Sequence, residues 1–389
     1  MKRTTLMILL LMLPCGWGVA QKHDSDDSGV RSKTFTVSKG GLLEVSVGVG
    51  DIRITPRDQN EVTVQASGID DEELDRLKMS QSGNTVTVTF RPRNRGWSSS
   101  DVEFDITMPK EFDTDLRTAG GNIEFTDYVK GRIKGSTSGG DIKLASVGGT
   151  VDMSTSGGNV RTGDVQGDGE LRTSGGDITI GNVMGELDIN TSGGNIDVKN
   201  VGKSLRASTS GGDISIGDVG GEANVSTSGG NIEMGKVSGT ASMHTSGGDV
   251  SLRGASGSVK ASTSGGDMRL EDVSGSIDAS TSGGEIEAEL YPSGTGRSRL
   301  ASSAGTVKIS IPANAKATID ATIHFGNSWS FWGGGRDRYS VKSDFKADSY
   351  EKDEDAGEIR ALYTINGGGS DISLSTSGAD IIIRKMSSK

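Results

Sequence analysis

The sequence predicts an all-β protein, a parallel β-helix or solenoid of 18-residue coils flanked by N-terminal strands and a C-terminal cap. The first observation is a repeat. Ser-Gly-Gly returns nine times at a spacing of 18, beginning at Ser138, Ser156, Ser174, Ser192, Ser210, Ser228, Ser246, Ser264 and Ser282. Thr precedes each of these serines, and Asp, Asn or Glu follows each Gly-Gly. A fixed period of this kind means one unit stacked on copies of itself. The second observation is the absence of Phe, Trp and Tyr between Tyr128 and Tyr291. Large rings supply most of the buried area of an ordinary globular core, so this stretch calls for a thin aliphatic interior. The third is alternation. In Ser210 to Thr227, Ile214 and Ile216 face one way and Asp213 and Ser215 the other, Val219 turns inward, and Ala223 and Val225 face inward again. That is two short strands per repeat, enough to close one coil, with successive coils stacking at about 4.8 Å.

In chain order, residues 1–20 read as a secretion signal. Lys2 and Arg3 give a positive start, Leu6 to Leu13 is apolar throughout, and Gly18-Val19-Ala20 offers small residues for cleavage. The apolar run is shorter than the ~20 residues a bilayer span needs. The alternatives are a retained anchor and lipid attachment at Cys15, although Pro14 sits where a lipobox has a small residue. Residues 21–33, with Asp24, Asp26 and Asp27, read as a disordered tail.

Residues 34–117 read as an N-terminal β-strand region. Phe35 and Val37, then Leu43, Val45 and Val47, Ile52 and Ile54, Val62 and Val64, Val86, Val88 and Phe90, and Val102, Phe104 and Ile106 each alternate with polar neighbours. Asp70 to Leu77 is the one helix-like interruption; it is acidic and is expected to be a short turn or loop.

Residues 118–302 are the solenoid array. Gly-Gly is expected to supply its corner through positive φ, and the Ser and Thr hydroxyls to bond backbone left unpaired by the bend. The residue after Gly-Gly reads Asn122, Asp141, Asn159, Asp177, Asn195, Asp213, Asn231, Asp249. In a stack, an all-Asp column would cost up to roughly 1 kcal/mol per neighbouring pair even in water. Interleaved Asn doubles the carboxylate spacing and hydrogen-bonds along the stack. Duplication of a 36-residue unit explains the alternation equally well, and it also implies stacking.

Residues 303–389 read as a C-terminal β cap region. Val307, Ile309 and Ile311 lead to Pro312, and Asp344 to Gly357 reads as a charged loop. The cluster Trp329, Phe331 and Trp332 is expected either to seal the open core or to contact a ligand, because aromatic faces stack on sugars and exposed Trp marks binding hot spots.

Several segments together resemble the bacterial family of exported β-strand-repeat proteins labelled DUF4097, known as candidate adhesins. They are Phe35-x-Val37 with Gly50-Asp51-Ile52-x-Ile54, the repeated Ser-Gly-Gly-Asp/Asn-Ile, Val307-x-Ile309-x-Ile311-Pro312, and Ile365-Asn366-Gly367-Gly368-Gly369. The resemblance covers nearly the whole chain after residue 33. It implies a right-handed β-helix-like solenoid in or outside the cell envelope, and it carries no catalytic residues over.

Net charge is −11, which disfavours nucleic acid and direct adsorption to anionic lipid. Cys15 is the only cysteine, so a chain cleaved after residue 20 has no disulfide and no thiolate metal site. His23, His244 and His324 are not at metal-ligand spacing. A calcium ladder on the Asp/Asn column would lack the nine-residue period and half its charged ligands. Catalytic residues, metal and cofactors are therefore expected to be none. A polysaccharide-active enzyme would need facing carboxylates, and outward acids such as Asp188, Asp197, Glu233 and Asp278 are expected to scatter, with no column concentrating them. The outward face carrying Asn190, Ser208, Asn224, Ser226, Ser262 and Ser280 is a second candidate contact. The expected function is a non-enzymatic adhesive, scaffolding or sensing module, periplasmic or at the cell surface. Its partner would be envelope polysaccharide or another envelope protein, with no membrane span after signal cleavage. A purely structural envelope rod is a further alternative.

Overall fold

The computed structural model describes residues 30–93, 102–292, 296–325 and 338–386. The secretion signal falls outside these residues, as do Trp329, Phe331 and Trp332.

The chain winds into a parallel β-solenoid with two long sheets. One sheet collects the strand after each Gly-Gly. Ile142–Leu144 pairs with Val160–Thr162, which pairs with Ile178–Val183, and so on to Ile286–Leu290, all parallel. The other sheet collects the second strand of each repeat, from Ile133–Ser136 through Val151–Ser154 to Ile277–Thr281. Register advances by one repeat per step (Ile133 beside Val151, Val151 beside Gly169), so each position stands above itself. A third, short side is a valine ladder. Val129, Val147, Val165 and Val183 bridge in parallel, as do Val201, Val219 and Val237. These valines, with the Ile, Leu, Met and Ala of the two sheets, fill the thin core. The large rings Phe90, Phe104 and Phe112 are buried before the array begins, and Phe125 is buried in its first coil.

The Gly-Gly corner has a different cause from the expected one. Among the described residues the left-handed glycines are Gly40, Gly50, Gly68, Gly83, Gly357, Gly367, Gly368 and Gly378, and none belongs to a Ser-Gly-Gly repeat. The constraint is the coil beneath. A Cβ on Gly212 would stand 2.1 Å from the carbonyl oxygen of Gly194, whereas one on Gly211 would be 3.4 Å from that of Gly193. The second glycine therefore has no room for any side chain, and the first has almost enough.

The buried threonine before each Ser locks this approach. Thr155 Oγ1 donates to the Gly140 carbonyl at 2.9 Å and accepts from the Gly158 N–H. The same pair of bonds recurs at Thr209, Thr227 and Thr263. Thr118, Ser302 and Thr376 donate in the same way to Gly50, Gly284 and Gly305, so the latch extends beyond the repeats. Each such bond contributes on the order of 1 kcal/mol net.

At both ends the stacking order departs from chain order. Gly41–Val47 lies between Thr85–Phe90 and Phe112–Thr118. Ser370–Ser377 lies between Arg297–Ser302 and Ala317–His324. Antiparallel strands finish each end: Glu61–Ser67 on Glu103–Pro109, and Glu358–Ile365 on Ala317–His324. Three local expectations are revised. Asp71–Arg76 is a 3₁₀ helix, with Glu73 buried and accepting from the Arg93 N–H. Ser349–Asp353, inside the stretch read as a loop, is an edge strand on Glu358–Ile365. The first strand, Arg31–Thr36, begins inside the stretch read as a tail, because its backbone pairs with Glu61–Ser67.

Candidate binding surfaces of the solenoid

The residues after Gly-Gly form a continuous ladder. The Asp141 carboxylate accepts from the Asn159 backbone N–H at 2.7 Å, and Asn159 Oδ1 accepts from the Asp177 N–H at 2.9 Å. The pattern repeats through Asn195, Asp213, Asn231 and Asp249. The column is thus structural: its side-chain oxygens serve the backbone of the next coil. A second column, not anticipated from the sequence, runs through Asp164, Asn182, Asn200 and Asp218; Asp164 and Asn200 accept from the next backbone N–H, while Asn182 Oδ1 accepts from the Asn200 side-chain amide. Its signal is weaker because Asp/Asn holds for four coils only, with Ser146 before it accepting from the Asp164 N–H and Lys236 after it donating its N–H to Asp218. The backbone N–H of Asn182 holds the Asp164 carboxyl below its usual range.

The outward residues stand in columns, as expected. Ser208, Ser226, His244 and Ser262 align on one face. Ser226 and Ser208 share a hydroxyl contact of 3.2 Å, and His244 Nδ1 lies 2.7 Å from Ser262 Oγ.

Asp197 and Glu233 stand apart as expected, with Ser215 between them, but Asp188 falls in a column of acids. Asp152, Glu170 and Asp188 follow one another in a single column, with Asp168 and Glu186 beside them. Together with Arg132, Arg206 and Glu222 they line a groove of about 720 Å³. Gly169 shapes its floor by leaving space that the Leu187 side chain fills. Lys134 pairs with Asp152 at 2.7 Å, and Arg172 pairs with Glu170. Asp152, Glu170 and Asp188 rise from one face of one sheet, and Asp168, Glu186 and Glu222 from the turns that lead into it. Glycosidase carboxylates must instead flank the scissile bond.

A second concavity, of about 350 Å³, lies where the array meets the cap. Hydroxyls dominate its wall, joined by Arg299 and His324. Among the described residues no group of three or more His, Cys, Asp or Glu is placed to hold a metal ion.

The architecture defines a class: a cysteine-poor parallel β-solenoid whose coils are latched by Thr and Asx ladders. Within that class the chain belongs to the Toastrack DUF4097 family, whose profile matches residues 42–217 and 202–344. Solved structures similar to it include a candidate adhesin from Parabacteroides merdae, with 15% identity, 67% of this chain and 97% of that one covered, and a TM-score of 0.27. A candidate cell adhesion protein from Clostridium sporogenes shares 9% identity over 92% of this chain and 100% of that one, with a TM-score of 0.18. A candidate lipid-binding protein from Parabacteroides distasonis shares 12% identity over 93% and 98%, with a TM-score of 0.20. None of these likenesses bears on what this chain binds. No curated protein matches it.

Proposed function

We propose that this chain is an exported, non-enzymatic binding module of the bacterial cell envelope, with an adhesive, scaffolding or sensing role. The observation that carries this reading is the outward column Asn190, Ser208, Ser226, His244, Ser262 and Ser280, in which a polar side chain stands at each successive coil of one sheet. Such a surface presents many equivalent weak contacts to an extended polymer, and weak contacts sum strongly when the geometry lets them engage together. Envelope polysaccharide is the proposed partner class. Trp329, Phe331 and Trp332 remain a proposed second contact, tested by Trp332→Ala. No helix among the described residues is long and apolar enough to cross a membrane.

The test is binding of the purified chain to size-fractionated envelope polysaccharide. Apparent affinity should rise steeply with polymer length, by 10-fold or more overall. Equal affinity for short and long fractions would remove the multivalent reading. Release of new reducing ends would favour a polysaccharide-active enzyme instead.

A further inference from the structure

We propose that the concavity between the array and the cap is a binding site for a carboxylate-bearing saccharide unit, with Arg299 as its anion anchor. The inference rests on the envelope-binding reading and narrows it to one site and one ligand chemistry.

The site arises from a break in the repeat. Through the array each strand of the second sheet pairs with one 18 residues away, but Asp278 pairs with Arg299, 21 residues on. The next strand over is Ser370–Ser377, and Ala317–His324 follows it. Four segments remote in sequence thus converge. They bring together Ser280, Arg299, Ser303, His324, Ser375 and Ser377 around about 350 Å³, within the ~300–1,000 Å³ of small-ligand sites.

The chemistry of the wall is specific. Thr281, Ser302 and Thr376, also at this wall, commit their hydroxyls to glycine carbonyls. The hydroxyls of Ser280, Ser303, Ser375 and Ser377 make no hydrogen bond to any described residue. A hydroxyl both donates and accepts, which matches the hydroxyls of a sugar ring. Some outward cations of the solenoid are paired: Lys134 with Asp152, Arg253 with Glu233, Arg269 with Glu271 and Glu287. Others, such as Arg206 and Lys260, form no ion pair among the described residues. Arg299 differs from these in standing on a wall of hydroxyls. Arg299 has no carboxylate within ion-pair reach among the described residues, although Asp278 is its neighbour in register. No carboxylate lines the concavity. A planar guanidinium with its fork free is the group best matched to a carboxylate, which it holds through two parallel hydrogen bonds. His324 supplies a further ring nitrogen on the same wall.

The probe is a short oligogalacturonate, compared with its methyl ester, which keeps the sugar and linkage but removes the charge. Acetate serves as a third arm, separating a saccharide site from a bare anion site. Titration of the full chain by calorimetry should show at least about tenfold preference for the acid over the ester, and no saturable acetate binding. Arg299→Gln should remove that preference, and Arg299→Lys should restore only part of it. Ser303→Leu, which replaces a wall hydroxyl by a bulky apolar group and leaves the cation in place, should weaken both saccharides. Melting curves matching the parent's confirm that the outward substitutions leave the solenoid intact. Unchanged acid binding in both Arg299→Gln and Ser303→Leu overturns the site, as does equal affinity for acid and ester. If envelope polysaccharide binds while oligogalacturonate does not, the pocket fails and the broader reading stands. If neither binds, both fail.

Discussion

Thr162 shows what one side chain contributes to a stacked column. It occupies an inward position between Leu144 and Ile180. It is buried, and its hydroxyl has no hydrogen-bond partner. A buried unpaired hydroxyl costs about 1–3 kcal/mol, and valine has nearly the same shape. Thr162→Val should therefore raise stability by about 1 kcal/mol, read as a higher midpoint in a urea titration with unchanged slope. The latch threonines predict the reverse. Thr209 is equally buried but serves both the Gly194 carbonyl and the Gly212 N–H. Thr209→Val should cost about 1–3 kcal/mol in the same titration. Sequence marks Thr209 by its place before Ser-Gly-Gly, but that Thr162 is left without a partner shows only in the stack.

At the scale of the coil, two adjacent glycines do different jobs. Gly212→Ala would drive a methyl group into the Gly194 carbonyl, which is fixed backbone and cannot turn aside. The coils must separate locally, and we expect a loss of about 3 kcal/mol or more, with the melt splitting into two steps. Gly211→Ala meets its nearest carbonyl at 3.4 Å and should cost less than about 1 kcal/mol. Calorimetric melting of the pair decides the matter. Comparable losses would show that backbone freedom rather than coil contact sets the glycine requirement. Gly-Gly is conspicuous in the sequence, but its physical reason is not. A turn that demands positive φ and a backbone that demands contact select the same residue.

Across the whole molecule, the consequential feature is the exchange of coil order at the ends. The last strands of the chain are not the last in the stack. Ser370–Ser377 separates Arg297–Ser302 from Ala317–His324, and Ile381–Met386 pairs with both Val307–Pro312 and Val341–Ser343. Truncation after Gly369 therefore removes an interior layer. The cap should detach and two sheet edges open, giving concentration-dependent association on size exclusion and rapid proteolysis beyond residue 312. A truncated chain that stays monomeric and resistant would contradict this arrangement.

The coil is legible from the residues alone: its length of 18, its inward columns, the Asp/Asn ladder and the thin aliphatic core. These are local or strictly periodic properties, and a period shifts every contact by the same number of residues. Only the tertiary structure decided the rest. Strands at the two ends pair out of chain order because antiparallel partners and an inserted coil close the stack there. The acid column at Asp152, Glu170 and Asp188 keeps the 18-residue period and is legible in the chain, whereas the pocket around Arg299 depends on register between strands far apart in it. No periodicity encodes the pocket, because it forms where the period stops.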